Sequence, residues 1–152
     1  MLKINIICVG NIKDKFFDEA QKEYLKRLSK YCTVTVKELK EYNNLENIEQ
    51  IKTQESENIL QNVKGYFILL DIKGAKISSE EFSKKLSALT LQTNEITFVI
   101  GGSYGVTDEL KQKANLKLSF SDMTFPHRLF RVMLLEQIYR AFCIANNTPY
   151  HK

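Results

Sequence analysis

Two loops in the last third of the chain carry residues that could hold a ligand. Ile100-Gly101-Gly102-Ser103-Tyr104-Gly105 follows a run of strand-forming residues, and Phe120-Ser121-Asp122-Met123-Thr124-Phe125-Pro126-His127 follows another. Glycine has no Cβ, so backbone amides and carbonyls of the first loop can close on a ligand, while the second offers small and hydroxyl side chains suited to a polar cofactor. Asp71-Ile72-Lys73-Gly74 stands at a third strand end. Ligands of open α/β sheets lie outside the carboxyl ends of strands, so the three ends are expected to meet at one pocket. The glycine loop has neither the dinucleotide-binding spacing nor the Lys-Ser/Thr ending of a P-loop, which argues against a phosphate-handling NTPase.

Other chemistries are poorly supplied. His127 and His151 are the only histidines, and neither has a carboxylate or thiol at ligand spacing, so no metal is expected. No G-x-S-x-G elbow is present, which leaves His127 with Ser121 or Ser103 as the one constellation open to nucleophilic hydrolysis. Arg128 and Arg131 lie three apart and can share a helix face to reach a phosphate, with Arg140 further along. Alternatively, Glu136 pairs with Arg140 as a surface bridge worth about 0.3 to 0.5 kcal/mol. Cys8, Cys32 and Cys143 form no C-x-x-C pair and read as buried, reduced thiols.

The elements that must position these residues follow from length and periodicity. A chain of 152 residues, 43% hydrophobic, fits one domain (1–152) able to bury a core without disulfides or metal. A net charge of +4 biases it mildly toward polyanions. No basic segment with an apolar run and cleavage site opens the sequence and no stretch is long enough to span a membrane, so a cytoplasmic protein without membrane contact is expected. Strand-length apolar runs alternate with helical patterns, implying an α/β fold with a mainly parallel sheet flanked by helices. Strands are predicted at Ile4 to Val9, Thr33 to Leu39, Gly65 to Asp71, Ile96 to Ile100 and Leu116 to Phe120. Asp14 to Tyr31 reads as an amphipathic helix with a basic outer face (Lys22, Lys26, Arg27, Lys30), which with Lys13 and Lys15 forms the densest basic stretch of the chain. Ser78 to Glu81 fits a capping box ahead of Phe82, and Thr107-Asp108-Glu109 marks another helix start. Tyr42 to Asn62 is polar and reads as a flexible loop followed by an exposed helix. The last helix, about Leu129 to Asn146, is apolar nearly all round; cover on two sides is needed, and a second copy of the chain is the simplest source, which predicts a homodimer.

The run Gly101-Gly102-x-x-Gly105, then Ser119 to Thr124, His127, Arg131, Leu134, Glu136-Gln137, Tyr139-Arg140-Ala141 and terminal Asn147-x-Pro149-Tyr150-His151-Lys152, resembles the bacterial large-subunit ribosomal RNA pseudouridine N3-methyltransferases. The likeness extends over the whole chain, with Leu70-Asp71 and Gly74 joining mid-chain. Two positions depart from it: Gly74-Ala75-Lys76 stands where relatives usually have Gly followed by Lys, and Phe120 replaces a more usual leucine. The resemblance implies a SPOUT-type fold with a C-terminal trefoil knot over about 66–152, a homodimer, and S-adenosyl-L-methionine as cofactor. It implies methylation of N3 of a pseudouridine in 23S ribosomal RNA, on the assembled ribosome. By the same resemblance, Leu70, Gly101, Gly102, Gly105, Phe120, Ser121, Asp122, Met123, Thr124 and Phe125 match cofactor loops, and His127, Arg131, Tyr150 and His151 match positions linked to substrate. A non-catalytic knotted module that docks on ribosomes or nucleotides, or a SPOUT enzyme acting on tRNA, are the alternatives.

Overall fold

The computed structural model describes residues 1–43 and 47–152; residues 44–46, within the segment read as a flexible loop, lie outside the described residues. Five parallel strands form one sheet in the order β2-β1-β4-β3-β5. They are β1 (Lys3–Val9), β2 (Thr33–Leu39), β3 (Tyr66–Lys76), β4 (Glu95–Ile100) and β5 (Leu116–Ser119). In β1, Ile4, Ile6 and Cys8 face one layer while Ile7 and Val9 face the other, the two-residue period of a strand covered on both sides. The first layer holds α1 (Lys15–Leu28), α3 (Ser79–Thr90) and α5 (His127–Ala145); the second holds α2 (Ile48–Leu60) and α4 (Asp108–Lys113).

Local chemistry fixes the element boundaries. The Glu81 amide donates to Ser78 Oγ at 3.1 Å and the Ser78 amide to Glu81 Oε1 at 3.4 Å, completing the capping box of α3. Thr107 Oγ1 accepts from the Leu110 amide and starts α4. At the end of α5, Asn147 takes a φ of 55° and the Thr148 amide reaches back to the Cys143 carbonyl at 2.9 Å, so the chain turns sharply into the tail.

Three expectations are corrected. β3 continues past Asp71 to Lys76, with a register shift between Leu70 and Ala75 along β5. Gly74 makes that extension possible: a Cβ there would come within 2.6 to 2.7 Å of the Lys117 and Leu118 backbone. α2 is not an exposed helix, because Ile51, Glu55, Ser56 and Ile59 are all buried. On the basic face of α1, Lys15 pairs with Glu19, Lys22 with Asp18 and Arg27 with Glu23, each within the helix. Finally, α1 and α3 of the same chain cover Leu134, Leu135, Ile138 and Ala141 of α5, so the breadth of its apolar surface does not by itself demand a second copy. Among the described residues, no helix is long and apolar enough to cross a membrane.

Candidate active site

A cleft of about 400 Å³ opens at the carboxyl ends of β3, β4 and β5. Parallel pairing brings these ends together: Leu70 lies beside Ile100 in the sheet and beside Leu118 on its other edge. Leu70 to Lys73 form one wall, Gly101 to Val106 a second, and Ser119 to Ser121 with Met123 to Phe125 a third. Its apolar side is a ring cluster, with Phe130 4.9 Å from Phe120 and 6.2 Å from Phe125. Of the ten residues matched to cofactor loops, Asp122 alone does not line the cleft; its carboxylate turns out to an ion pair with Lys76. That contact also gives the displaced lysine of Gly74-Ala75-Lys76 a place, tying the end of β3 to the loop after β5.

The glycines serve the loop in ways their sequence did not disclose. A Cβ on Gly101 would meet Val106 Cγ1 at 2.8 Å, and one on Gly102 would meet Glu55 Oε1 at 2.4 Å. Both absent side chains therefore make room for protein neighbours, not for a ligand. Gly105 has a φ of +83°, which L side chains rarely adopt, and a hydrogen bond from its amide to the Gly102 carbonyl closes the turn. Beneath this loop, Ser56 Oγ accepts from the Thr107 amide at 3.0 Å, and Glu55 Oε2 accepts from the Tyr42 amide at 2.9 Å. Burial pushes the Glu55 carboxyl up, partly offset by the Tyr42 amide.

The residues matched to substrate positions are dispersed. His127 begins α5 and lines the cleft with Ser103 and Ser121, but its ring bonds to neither. Ser103 Oγ instead donates to Glu41, and Ser121 Oγ accepts from the Met123 amide, so no nucleophilic pair forms. Arg131 is 3% exposed; it donates to Glu38 Oε2 at 2.6 Å and to the Gly10 carbonyl, and so does not share a free phosphate-seeking face with Arg128, which binds the Asn11 carbonyl and Asp14. Tyr150 and His151 dock on α5 and α3, away from the lining of the cleft. Tyr150 packs edge-on against Tyr139 and under the Arg140 guanidinium, each at 4.8 Å, and burial is the first cause that pushes its hydroxyl up to about 12. His151 Nδ1 lies 3.0 Å from Arg140 Nη1, and its Nε2 lies 2.6 Å from Glu80 Oε1. Arginine can only donate, so Nδ1 is the acceptor and Nε2 carries the proton that Glu80 receives. That bond holds the Glu80 carboxyl below its ordinary value. Arg140 also makes a two-pronged contact with Glu136, at 2.7 and 3.4 Å, so this pair belongs to a half-buried tail-docking network rather than to a free surface bridge.

Lys52 and Lys111 also reach the cleft, and neither is singled out by the sequence, where each is one of many lysines on a polar segment. A signal for α2 was available: Ile51, Glu55 and Ile59 stand four apart, so one apolar stripe carries an acid at its centre.

This architecture is that of the SPOUT methyltransferases, and the chain belongs to that family: its model, described as "Predicted SPOUT methyltransferase", matches residues 2–151. Among proteins of known name, the chain is 46% identical to the ribosomal RNA large subunit methyltransferase H of Caldicellulosiruptor saccharolyticus over 98% of this chain and 99% of that one. It is 49% identical to the protein of the same name from Clostridium botulinum (strain Kyoto / Type A2), over 99% and 100% of the two chains. A solved structure of a probable methylase family protein from Haemophilus influenzae Rd KW20 superposes with a TM-score of 0.54 at 16% identity, covering 98% of this chain and 70% of that one, a likeness of fold alone.

Proposed function

We propose that this methyltransferase transfers a methyl group from S-adenosyl-L-methionine to N3 of a pseudouridine in 23S ribosomal RNA, acting in the cytoplasm as a homodimer on the assembled ribosome. The observation that carries the reading is the convergence of three strand-end loops on one cleft, in a chain 46 to 49% identical over its full length to ribosomal RNA large subunit methyltransferases H. The cleft suits the donor: the Phe120, Phe125 and Phe130 rings offer an apolar wall, the Gly101 to Gly105 backbone offers polar groups, and Lys52 and Lys111 offer cations for a carboxylate. The donor supplies a methyl on a positively charged sulfur, so the protein has chiefly to align the nucleophile and exclude water. The trefoil knot over 66–152 is part of this reading and rests on family membership.

The target imide must give up a proton, and a nearby cation favours its anion. In our reading His151 takes that proton, Tyr150 stacks on the unstacked base, and His127 orients the substrate at the cleft wall. Both nitrogens of His151 are engaged in the docked tail, so acting as a base requires the ring to leave Arg140 or Glu80. Arg131, held by Glu38, fixes the start of α5 and with it His127, while Arg140 is the cation that accompanies the tail. Because Tyr150 and His151 do not line their own chain's cleft, a second copy is the source that completes the site, and Met123 (74% exposed) and Leu129 (36%) offer apolar contact area near it. The test is incubation of the purified protein with labelled donor and ribosomes from cells lacking the gene. Mass spectrometry should find N3-methylpseudouridine in the large-subunit RNA; label on tRNA or on no RNA would refute the reading.

A further inference from the structure

The glycine loop rests on a buried acid, Glu55, one of whose two carboxylate oxygens has no bonding partner among the described residues. Glu55 is 2% exposed, and although Oε2 accepts from the Tyr42 amide, Oε1 is sealed from solvent and meets no donor among the described residues. A polar atom in that state destabilises the fold unless something else keeps it there. What it touches is Gly102: a Cβ built there would sit 2.4 Å from Oε1, 3.3 Å from Glu55 Cδ and 3.2 Å from Val9 Cγ1. The carboxyl therefore occupies the volume that a side chain on the loop would need, and the adjoining Ser56 hydroxyl ties the loop's far end through the Thr107 amide. The residue is not part of the cleft lining.

We infer that Glu55 is a positioning residue for the cofactor loop, a buried stop that sets the height of Gly101 to Gly105 over the cleft and thereby the affinity for the methyl donor. The inference rests on the proposed function, since it takes S-adenosylmethionine to be what the loop holds. If Glu55 acts as a stop, Gly102 must be glycine because of Glu55, and the two positions are coupled through contact rather than through overall stability.

Calorimetric titration with S-adenosylmethionine, thermal melting and steady-state methylation of ribosomes test this on the full chain. The Gly102→Ala variant should lose donor affinity by about tenfold or more and Glu55→Ala by about fivefold, yet the double variant should bind better than Gly102→Ala alone. Glu55→Gln keeps the length of the arm and the acceptor for Tyr42, and should restore affinity to near the wild-type value. For Glu55→Ala the loss should fall on the donor KM, with kcat at saturating donor within about twofold of wild type. Should Glu55→Ala not fold, Glu55→Asp, which withdraws the carboxyl from the loop, carries the same cycle with Gly102→Ala. Additive losses in the double variant, or unchanged donor affinity in Glu55→Ala, would overturn the role of Glu55 while leaving the donor site intact. Wild-type protein giving no heat with S-adenosylmethionine would instead overturn the donor reading, and this inference with it.

Discussion

His151 sits between two partners of opposite sign, accepting from Arg140 and donating to Glu80, and this geometry sets what its removal should do. The ring touches no residue of the cleft wall, so His151→Ala should leave donor affinity nearly unchanged while lowering single-turnover methylation by about 10²- to 10⁴-fold, the usual worth of a positioned base. Rapid-quench measurement with the donor pre-bound checks it, and a variant with wild-type turnover would remove the assignment. The types of the tail residues were readable in the sequence; their docking was not, because Glu80 lies 71 positions away and no local pattern connects the two. The thiols were simpler to read. Burial pushes Cys8 from 9.0 up to about 11, against the pull of Arg131, and Cys32 up to about 12. A folded-state value above the unfolded one means that the folded protein holds its protons longer, so this contribution is complete below pH 9.0 and is lost as pH rises through about 11 to 12. Urea midpoints should therefore fall between about pH 8 and about pH 10.5, and fall less in a Cys8→Ala, Cys32→Ala variant; an identical fall in both would refute the attribution.

At the level of elements, strands and helices with one dominant period were legible, and those whose purpose is to hold the site were not. β1, β2 and β4 carry runs of β-branched and aromatic residues that announce themselves. The extension of β3 to Lys76 is polar and contains Gly74, so it reads as loop until β5 is seen beside it. α2 misled for a related reason: its buried stripe includes Glu55 and Ser56, polar side chains whose partners belong to the loops around the cleft. Two substitutions separate support of the site from ordinary stability. Gly74→Ala places a Cβ 2.6 Å from the Lys117 carbonyl carbon, and β5 can relieve this only by moving, which drags the 120–125 loop with it. We expect a loss of about 2 to 3 kcal/mol in urea unfolding together with weakened donor binding. Ser78→Ala removes the capping box of α3 and should cost about 1 kcal/mol, with donor affinity untouched. Equal effects of the two on donor binding would show that the β3 to β5 contact has no special bearing on the cleft.

For the whole molecule, the question is where the substrate side chains come from. The breadth of apolar surface on α5 suggested a second copy, and α1 and α3 turn out to cover most of it within the chain. A different observation now favours the dimer: the cleft and the tail residues matched to substrate do not meet in one chain. No sequence pattern could disclose this, because both are ordinary local features and only their separation in space carries the information. Complementation decides it. Gly101→Val puts a branched side chain where even a Cβ meets Val106 at 2.8 Å, which should spoil the cleft and leave the tail intact; His151→Ala does the reverse. If the tail acts on the partner's cleft, co-refolding the two inactive variants in equal amounts gives mixed dimers with one whole site, and methylation should recover to about a quarter of the wild-type rate. If the tail swings over its own cleft, each mixed dimer still has no whole site, and activity stays at the level of the separate variants.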